Sequence, residues 1–221
     1  MKKSDFCIVL GILACVLFSC TNVPEIKKIE QENKMENRTK HPQENILETF
    51  NFNGAIIELV EWIDTIWCGK IGYAVNNTDE PNVEKIMGDF ETLHRSNIVA
   101  KEREKDWDVC ISINYLSKER PNGVMIGFLV NTEQQLNCFD IYKVPAIKFM
   151  RIQINEETTK VLGKEPFGIP PYQWIGGIIA PKYGYKCVDD TKPVFEYYGY
   201  WNNNTNSHEF TYLYVPVIEE K

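Results

Sequence analysis

The chain has 221 residues (25.7 kDa), 43% of them apolar and 25% charged, and carries a formal charge of −7 from 24 basic and 31 acidic side chains. That composition excludes a wholly disordered chain, a collagen-like repeat and a multi-span membrane protein. The acidic balance argues against a nucleic-acid partner, which asks for a basic patch.

Residues 1–20 open on Met1, Lys2 and Lys3, continue as an apolar run from Phe6 to Phe18 and end in Ser19 and Cys20. A basic start before a short apolar run is the pattern of a secretory signal. The run is shorter than the roughly 20 residues that cross a bilayer. Leu17–Cys20 (LFSC) resembles the bacterial lipoprotein cleavage box, with Phe18 larger than usual at its position. The resemblance implies cleavage after residue 19, lipid on Cys20, and a cell-envelope protein held to the membrane on its periplasmic side or at the outer membrane. An uncleaved anchor is the alternative.

From Thr21 to Asn45 the chain is rich in Glu, Lys, Asn and Gln, with little that is apolar after Ile29. Such a segment cannot bury enough surface to offset its ordering entropy. Residues 20–49 are therefore read as the lipidated cysteine and a flexible tether, with a short surface helix around Glu25–Lys34 as the alternative. Of seven cysteines, Cys68, Cys110, Cys138 and Cys187 belong to the domain. An exported compartment permits disulfides, but no C-x-x-C spacing marks a zinc or thioredoxin-type site. Cys110, among Val109, Ile111 and Ile113, reads as a small buried hydrophobe, and an essential disulfide is not expected.

The domain is read over residues 50–218. Ala55–Trp62 and Ile66–Val75 are β-rich, with Gly69 and Gly72 as bends or bulges. Thr78–Pro81 (TDEP) is a helix-start signal. Val83, Ile86, Met87, Phe90, Leu93 and Ile98 then form an apolar stripe that predicts a helix. Glu102–Asp106 reads as a charged loop. Trp107–Leu116 and Val124–Val130 are strands joined by turn chemistry at Arg120–Gly123. The pattern recurs: strand Val144–Ile154, a weaker helix Tyr172–Ala180 interrupted by Gly176 and Gly177, and strands Pro193–Trp201 and Glu209–Ile218.

The expected fold is thus α+β. A tandem pair of β-α-β-β modules, about 50–131 and 143–218, forms one curved antiparallel sheet, with two helices on one face and a ligand cleft on the other.

Five segments then resemble a known family. Trp107–Ile111 (WDVCI) is similar to the "YDxC" strand of the GyrI-like small-molecule-binding domain, also called the AraC-type effector-binding domain. Lys143–Ala146 (KVPA) resembles its "xhPAG" strand start, with Ile147 where Gly is common. Trp174–Tyr185, ending in PKYGY, resembles its helix and exit, with Tyr183 in place of a small residue. Pro193–Tyr198 (PVFEYY) resembles "PxFExY", and Tyr212–Val217 (YLYVPV) the closing strand. The resemblance implies a cleft for amphipathic, often cationic or aromatic, small molecules. The family's DNA-binding module has no counterpart here, because the residues before Phe50 read as signal and tether.

Glu196 is the residue singled out. Strand alternation puts it on one face with Val194, Tyr198 and Tyr200. A carboxylate among aromatic rings is costly to desolvate unless a cation pairs with it or it takes a proton. Tyr198 matches the motif's tyrosine. Trp107, Tyr115, Tyr212, Tyr214 and Trp67 are candidate cleft walls, each with simple core packing as the alternative. Asp108 matches the acidic position of the first module and reads as a turn or edge residue. His41, His94 and His208 have no metal-ligand spacing, so no metal or cofactor is expected; a haem role for His208 is a minor option. There is no G-x-S-x-G elbow or phosphate loop.

The leading expectation is a lipid-anchored binding protein that captures an amphipathic small molecule. The alternatives are a hydrolase of small reactive electrophiles, with Glu196 as general base in the same cleft, and an envelope protein-interaction module.

Overall fold

The computed structural model describes residues 44–77, 79–155, 158, 160–161, 171–198, 201–202, 207–208 and 211–220; at residues 94, 104–108, 201–202 and 207–208 it describes the backbone alone. The signal, Cys20, His41 and the tether up to residue 43 lie outside the described residues.

The architecture begins at Glu44, ahead of Phe50. β1 (Glu44–Phe52) pairs antiparallel with β2 (Ala55–Trp62), so the tether reading stops short of where composition placed its end. Asn53 (φ 53) and Gly54 (φ 97) form the two-residue left-handed turn that joins them. An edge strand gains its backbone hydrogen bonds from its neighbour, so the polar side chains of Asn45, Glu48 and Thr49 do not prevent pairing.

β3 (Thr65–Tyr73) leads to α1 (Val83–Arg95), followed by β4 (Arg103–Ile113) and β5 (Gly123–Val130). The cap of α1 is Asn82, whose Oδ1 accepts from the Lys85 N–H at 2.9 Å. The helix stops before Ile98: Asn97 is left-handed (φ 55) and the Ile98 N–H returns to the Leu93 carbonyl at 3.1 Å. The apolar stripe narrows accordingly. Ile86 is buried, Phe90 and Leu93 pack near Cys68 and Phe128, and Met87 is exposed. β4 takes in most of the segment expected as a charged loop, with a register irregularity between Arg103 and Asp108.

β6 (Asp140–Val144) and β7 (Ile147–Gln153) open the second half. The second helix has three parts: α2 (Pro171–Trp174), a π turn (Ile175–Ile179) and α3 (Ala180–Lys182). Pro181 has no N–H to give to a carbonyl four residues back, and the Ala180 N–H reaches five residues back to Ile175. Pro181 therefore sits inside the last turn instead of ending the helix before it. β8 (Tyr185–Cys187), β9 (Val194–Tyr198) and β12 (Thr211–Glu219) complete the main sheet, and β10 (Trp201–Asn202) pairs with β11 (Ser207–His208) apart from it. No helix among the described residues is long and apolar enough to cross a membrane.

The ten-stranded antiparallel sheet runs β1-β2-β7-β12-β9-β4-β5-β3-β6, with β8 pairing to β12. The two modules meet at β9 and β4 and mirror each other in order: β7-β12-β9 against β4-β5-β3. β2 and β3 are joined by only Ile63 and Asp64, yet they lie toward opposite ends of the sheet; β6 and β7, joined by Pro145 and Ala146, do the same. Such short links bring the distant strands together and curl the sheet. The Ala146 N–H donates to Asp64 Oδ1 at 2.7 Å, tying the two links.

Register assigns the faces. Cys68, Phe128, Asp108, Tyr198 and Thr211 are successive cross-strand partners, as are Ile126, Cys110, Glu196, Leu213, Ile152 and Ile57. This face carries both helices. α1 packs on β3 and β5, and the second helix packs on β12 and β8. The opposite face lies inside the curl and is filled. Trp62, Trp67, Phe149, Phe195, Tyr197 and Tyr214 are fully buried there. Trp62 stacks on Phe195 at 5.1 Å and lies 6.1 Å from Trp67. The cleft expected on that face is replaced by packed aromatic side chains, because the curl brings rings from separate strands into contact.

Candidate functional site

The central strands β9 and β4 lie between the strands that the two helices cover. On the helix face they present Glu196 and Tyr198 from β9 and Cys110 and Ser112 from β4, with Ile126 beside them on β5; all five are half-buried. Their neighbours on the other face, Ile111, Phe195 and Tyr197, are wholly buried. A line of half-buried side chains thus runs along the middle of the helix face, as the floor of a groove between the two helices.

Glu196 stands at the centre of this line. Its register partners are Cys110 on one side and Leu213 on the other. The Tyr198 hydroxyl donates to Glu196 Oε2. Burial pushes the Glu196 carboxyl above its usual range, and the Tyr198 hydrogen bond opposes that in part. Tyr198 is driven well above its own ordinary value, first by burial and then by the Glu196 charge, so it remains a neutral donor. The Cys110 thiol is raised by burial and by Glu196, which keeps it protonated. Among the described residues, no basic side chain pairs with Glu196.

One end of the groove is closed by a tyrosine pair. Asn114 (φ 52) and Leu116 (φ 58) are left-handed on either side of Tyr115 and turn it out of the strand toward the second helix. There its hydroxyl hydrogen-bonds the Tyr172 hydroxyl, with the ring centroids 4.8 Å apart and nearly perpendicular. Gln173 Nε2 donates to Tyr172 at 3.2 Å. Burial raises the Tyr172 phenol, and the nearby Glu80 and Asp189 carboxylates add to the shift, so this end is also acidic.

Of the residues predicted from sequence, the structure brings Glu196, Tyr198 and Tyr115 to this face. Trp67, Tyr212 and Tyr214 belong to the packed face inside the curl, across the sheet from Glu196. The backbone of Trp107 lies in β4; its side chain, and those of Asp108, His94 and His208, lie outside the described residues. Tyr200 lies outside them too. Cys110 is half-buried, and alternation puts it on the helix face beside Glu196, away from Val109 and Ile111. Tyr172 was missed, since only the left-handed turn at Tyr115 reveals its partner.

Fold and site together define an α+β protein whose two central strands floor an acidic, aromatic-ended groove between two helices. No protein-family model matches the chain, and no curated protein matches it. Solved structures with a similar chain path include SAV2435 bound to tetraphenylphosphonium, at 14% identity over 78% of this chain and 94% of that one, with a TM-score of 0.49. A second is the integron cassette protein VCH_CASS2 from the mobile metagenome of Vibrio cholerae, at 14% identity over 73% and 95%, with a TM-score of 0.45. A third is the C-terminal domain of EcmrR, at 13% identity over 74% and 97%, also with a TM-score of 0.45. These likenesses concern the path of the chain and do not carry a function across.

Proposed function

We propose that this protein captures small organic cations bearing aromatic or apolar groups in the groove between α1 and the second helix. Glu196 is the charge partner and Tyr198 the residue that holds its carboxylate. The observation that carries this reading is a carboxylate partly desolvated by burial and without a basic partner among the described residues, set in a line of half-buried side chains. A bound cation supplies the missing partner and relieves the cost of desolvating the charge. Aromatic rings at the end of the groove add cation–π attraction of about 0.5–2 kcal/mol per contact.

Tetraphenylphosphonium is a suitable probe because its charge is fixed and its surface is aromatic. Calorimetric titration at neutral pH is expected to give saturable binding that weakens by at least about tenfold in Glu196→Gln. Equal affinity in the two proteins would remove Glu196 from the account. We further propose that Cys20 carries lipid and anchors the domain at the cell envelope. The support is the basic, apolar and LFSC pattern of residues 1–20. Metabolic labelling with a fatty-acid analogue is expected to mark the wild type and not Cys20→Ser; label retained in the variant would refute the anchor.

A further inference from the structure

On the face opposite Glu196, four adjacent strands place a buried charge cluster. Glu58, Arg151 and Tyr214 are successive cross-strand partners on β2, β7 and β12, and Glu44 on β1 pairs with Trp62 on β2. The Arg151 and Glu44 side chains are 0% exposed and that of Glu58 is 7% exposed. Arg151 Nε donates to Glu58 at 2.7 Å, and Arg151 Nη1 donates to Glu44 Oε1. Two further donors meet the other oxygen of Glu44: the Tyr214 hydroxyl at 3.0 Å and Trp62 Nε1 at 3.2 Å. Arg151 Nη2 is buried with no hydrogen-bond partner. The Arg151 guanidinium also lies over the Tyr212 ring, 4.8 Å from its centroid.

Three donors from β2, β7 and β12 thus converge on one carboxylate that comes from a different strand. Arg151 and Glu58 already balance each other in charge. Removing Glu44 therefore leaves Arg151 still paired with Glu58. The rest of this half of β1 is held by its backbone pairing to β2 and by a hydrogen bond between Glu48 and Tyr185. The side chains at 45–49 are exposed, and the pairing slips between Ile46 and Glu48. The far end is fixed separately, by Phe52 in the core and Phe50 stacked on Tyr183 at 4.2 Å. Glu44 is therefore the buried anchor of the first half of the strand.

We propose that Arg151, Tyr214 and Trp62 form a carboxylate-binding site that Glu44 fills as an internal occupant, and that a free small carboxylate takes the site when Glu44 is gone. Glu44 is then the one buried side-chain latch on the first half of β1.

Acetate added to Glu44→Ala in the full-length protein tests this. The variant is expected to lose about 5 °C in Tm, the scale of buried donors left without an acceptor. Acetate restores Tm along a saturating curve, and chloride at the same ionic strength does not. The backbone amides at 45–49 exchange at least about tenfold faster in the variant and stay fast in acetate, because the added carboxylate is not tethered to the strand. Adding Tyr214→Phe raises the half-saturating acetate concentration about tenfold. If Glu44→Ala fails to refold in buffer, recovery in acetate but not in chloride supports the site. Identical behaviour in acetate and chloride, in either experiment, overturns it. So does rescue untouched by Tyr214→Phe.

Discussion

At the scale of single residues, the proposed role of Glu196 in binding comes with a cost in stability. Its carboxyl is raised above the ordinary 4.5 in the folded protein, chiefly by burial. Folding therefore favours the protonated form. The stability linked to this group is fully present below pH 4.5 and is lost as pH rises through the raised folded value. Glu196→Gln removes that loss while keeping an acceptor for the Tyr198 hydroxyl. The variant is expected to melt higher than the wild type at neutral pH, with the gap closing as pH falls to the ordinary 4.5. Thermal melts across pH, without ligand, measure it. A gap that stays constant with pH would mean that the Glu196 side chain is solvated as fully in the folded chain as in the unfolded one.

At the scale of elements, the second helix carries the sharpest local conflict. It combines a paired glycine, an internal proline and a π turn. The two glycines differ in their surroundings. A Cβ on Gly176 would come within 2.9 Å of Cys187 Sγ, whereas one on Gly177 would have nothing within 4 Å. Gly177→Ala is expected to stabilise by about 0.5–1 kcal/mol through lower chain entropy in the unfolded state. Gly176→Ala is expected to destabilise by about 1 kcal/mol or more through overpacking against β8. Chemical denaturation of both variants checks the order, and a reversed order would contradict the packing of the π turn on β8.

Much of this level was legible in the sequence. The apolar stripe from Val83 marked α1, and the Gly176–Gly177 break marked the irregular helix. Period-two runs such as VMIGFLV marked the strands, and alternation placed Glu196 and Tyr198 on one face. The boundaries were harder to read. The cap of α1 is Asn82, since only its side chain reaches the Lys85 N–H. Charged residues 103–106 belong to β4, which Arg103 enters by pairing with Val130 ahead of an irregular stretch up to Asp108. Glu44 was hidden in a polar tract whose composition resembles a linker. Its partners did leave a signal: Glu58 and Arg151 are charges flanked by apolar residues in the runs AIIELVEW and IKFMRIQ, which also hold Glu61 and Lys148. A buried charge requires a partner, and two such runs of opposite sign invite pairing.

At the scale of the whole molecule, the decisive feature is the curl. Alternation assigns residues to faces but does not say which face is filled. That depends on β2 and β6 each pairing with the other module, a long-range choice that the two-residue links permit but no local motif encodes. Once the sheet curls, the inner face closes on Trp62 and its aromatic neighbours. The opening is left on the helix side, between two helices that cover the outer strands and leave β4 and β9 open. The same protein thus has a sealed aromatic interior on one face and an acidic groove on the other.

The central claim is that a cation binds by pairing with the ionised Glu196 carboxylate. Calorimetric titration of tetraphenylphosphonium in two buffers of different ionisation enthalpy, from about pH 4.5 upward, measures the proton linkage directly. The wild type is expected to release protons on binding wherever Glu196 is protonated, and to bind more tightly as pH rises through its raised pKa. Glu196→Gln should bind weakly, with neither effect. Binding by the wild type with no proton release and no pH dependence over that range would contradict the claim.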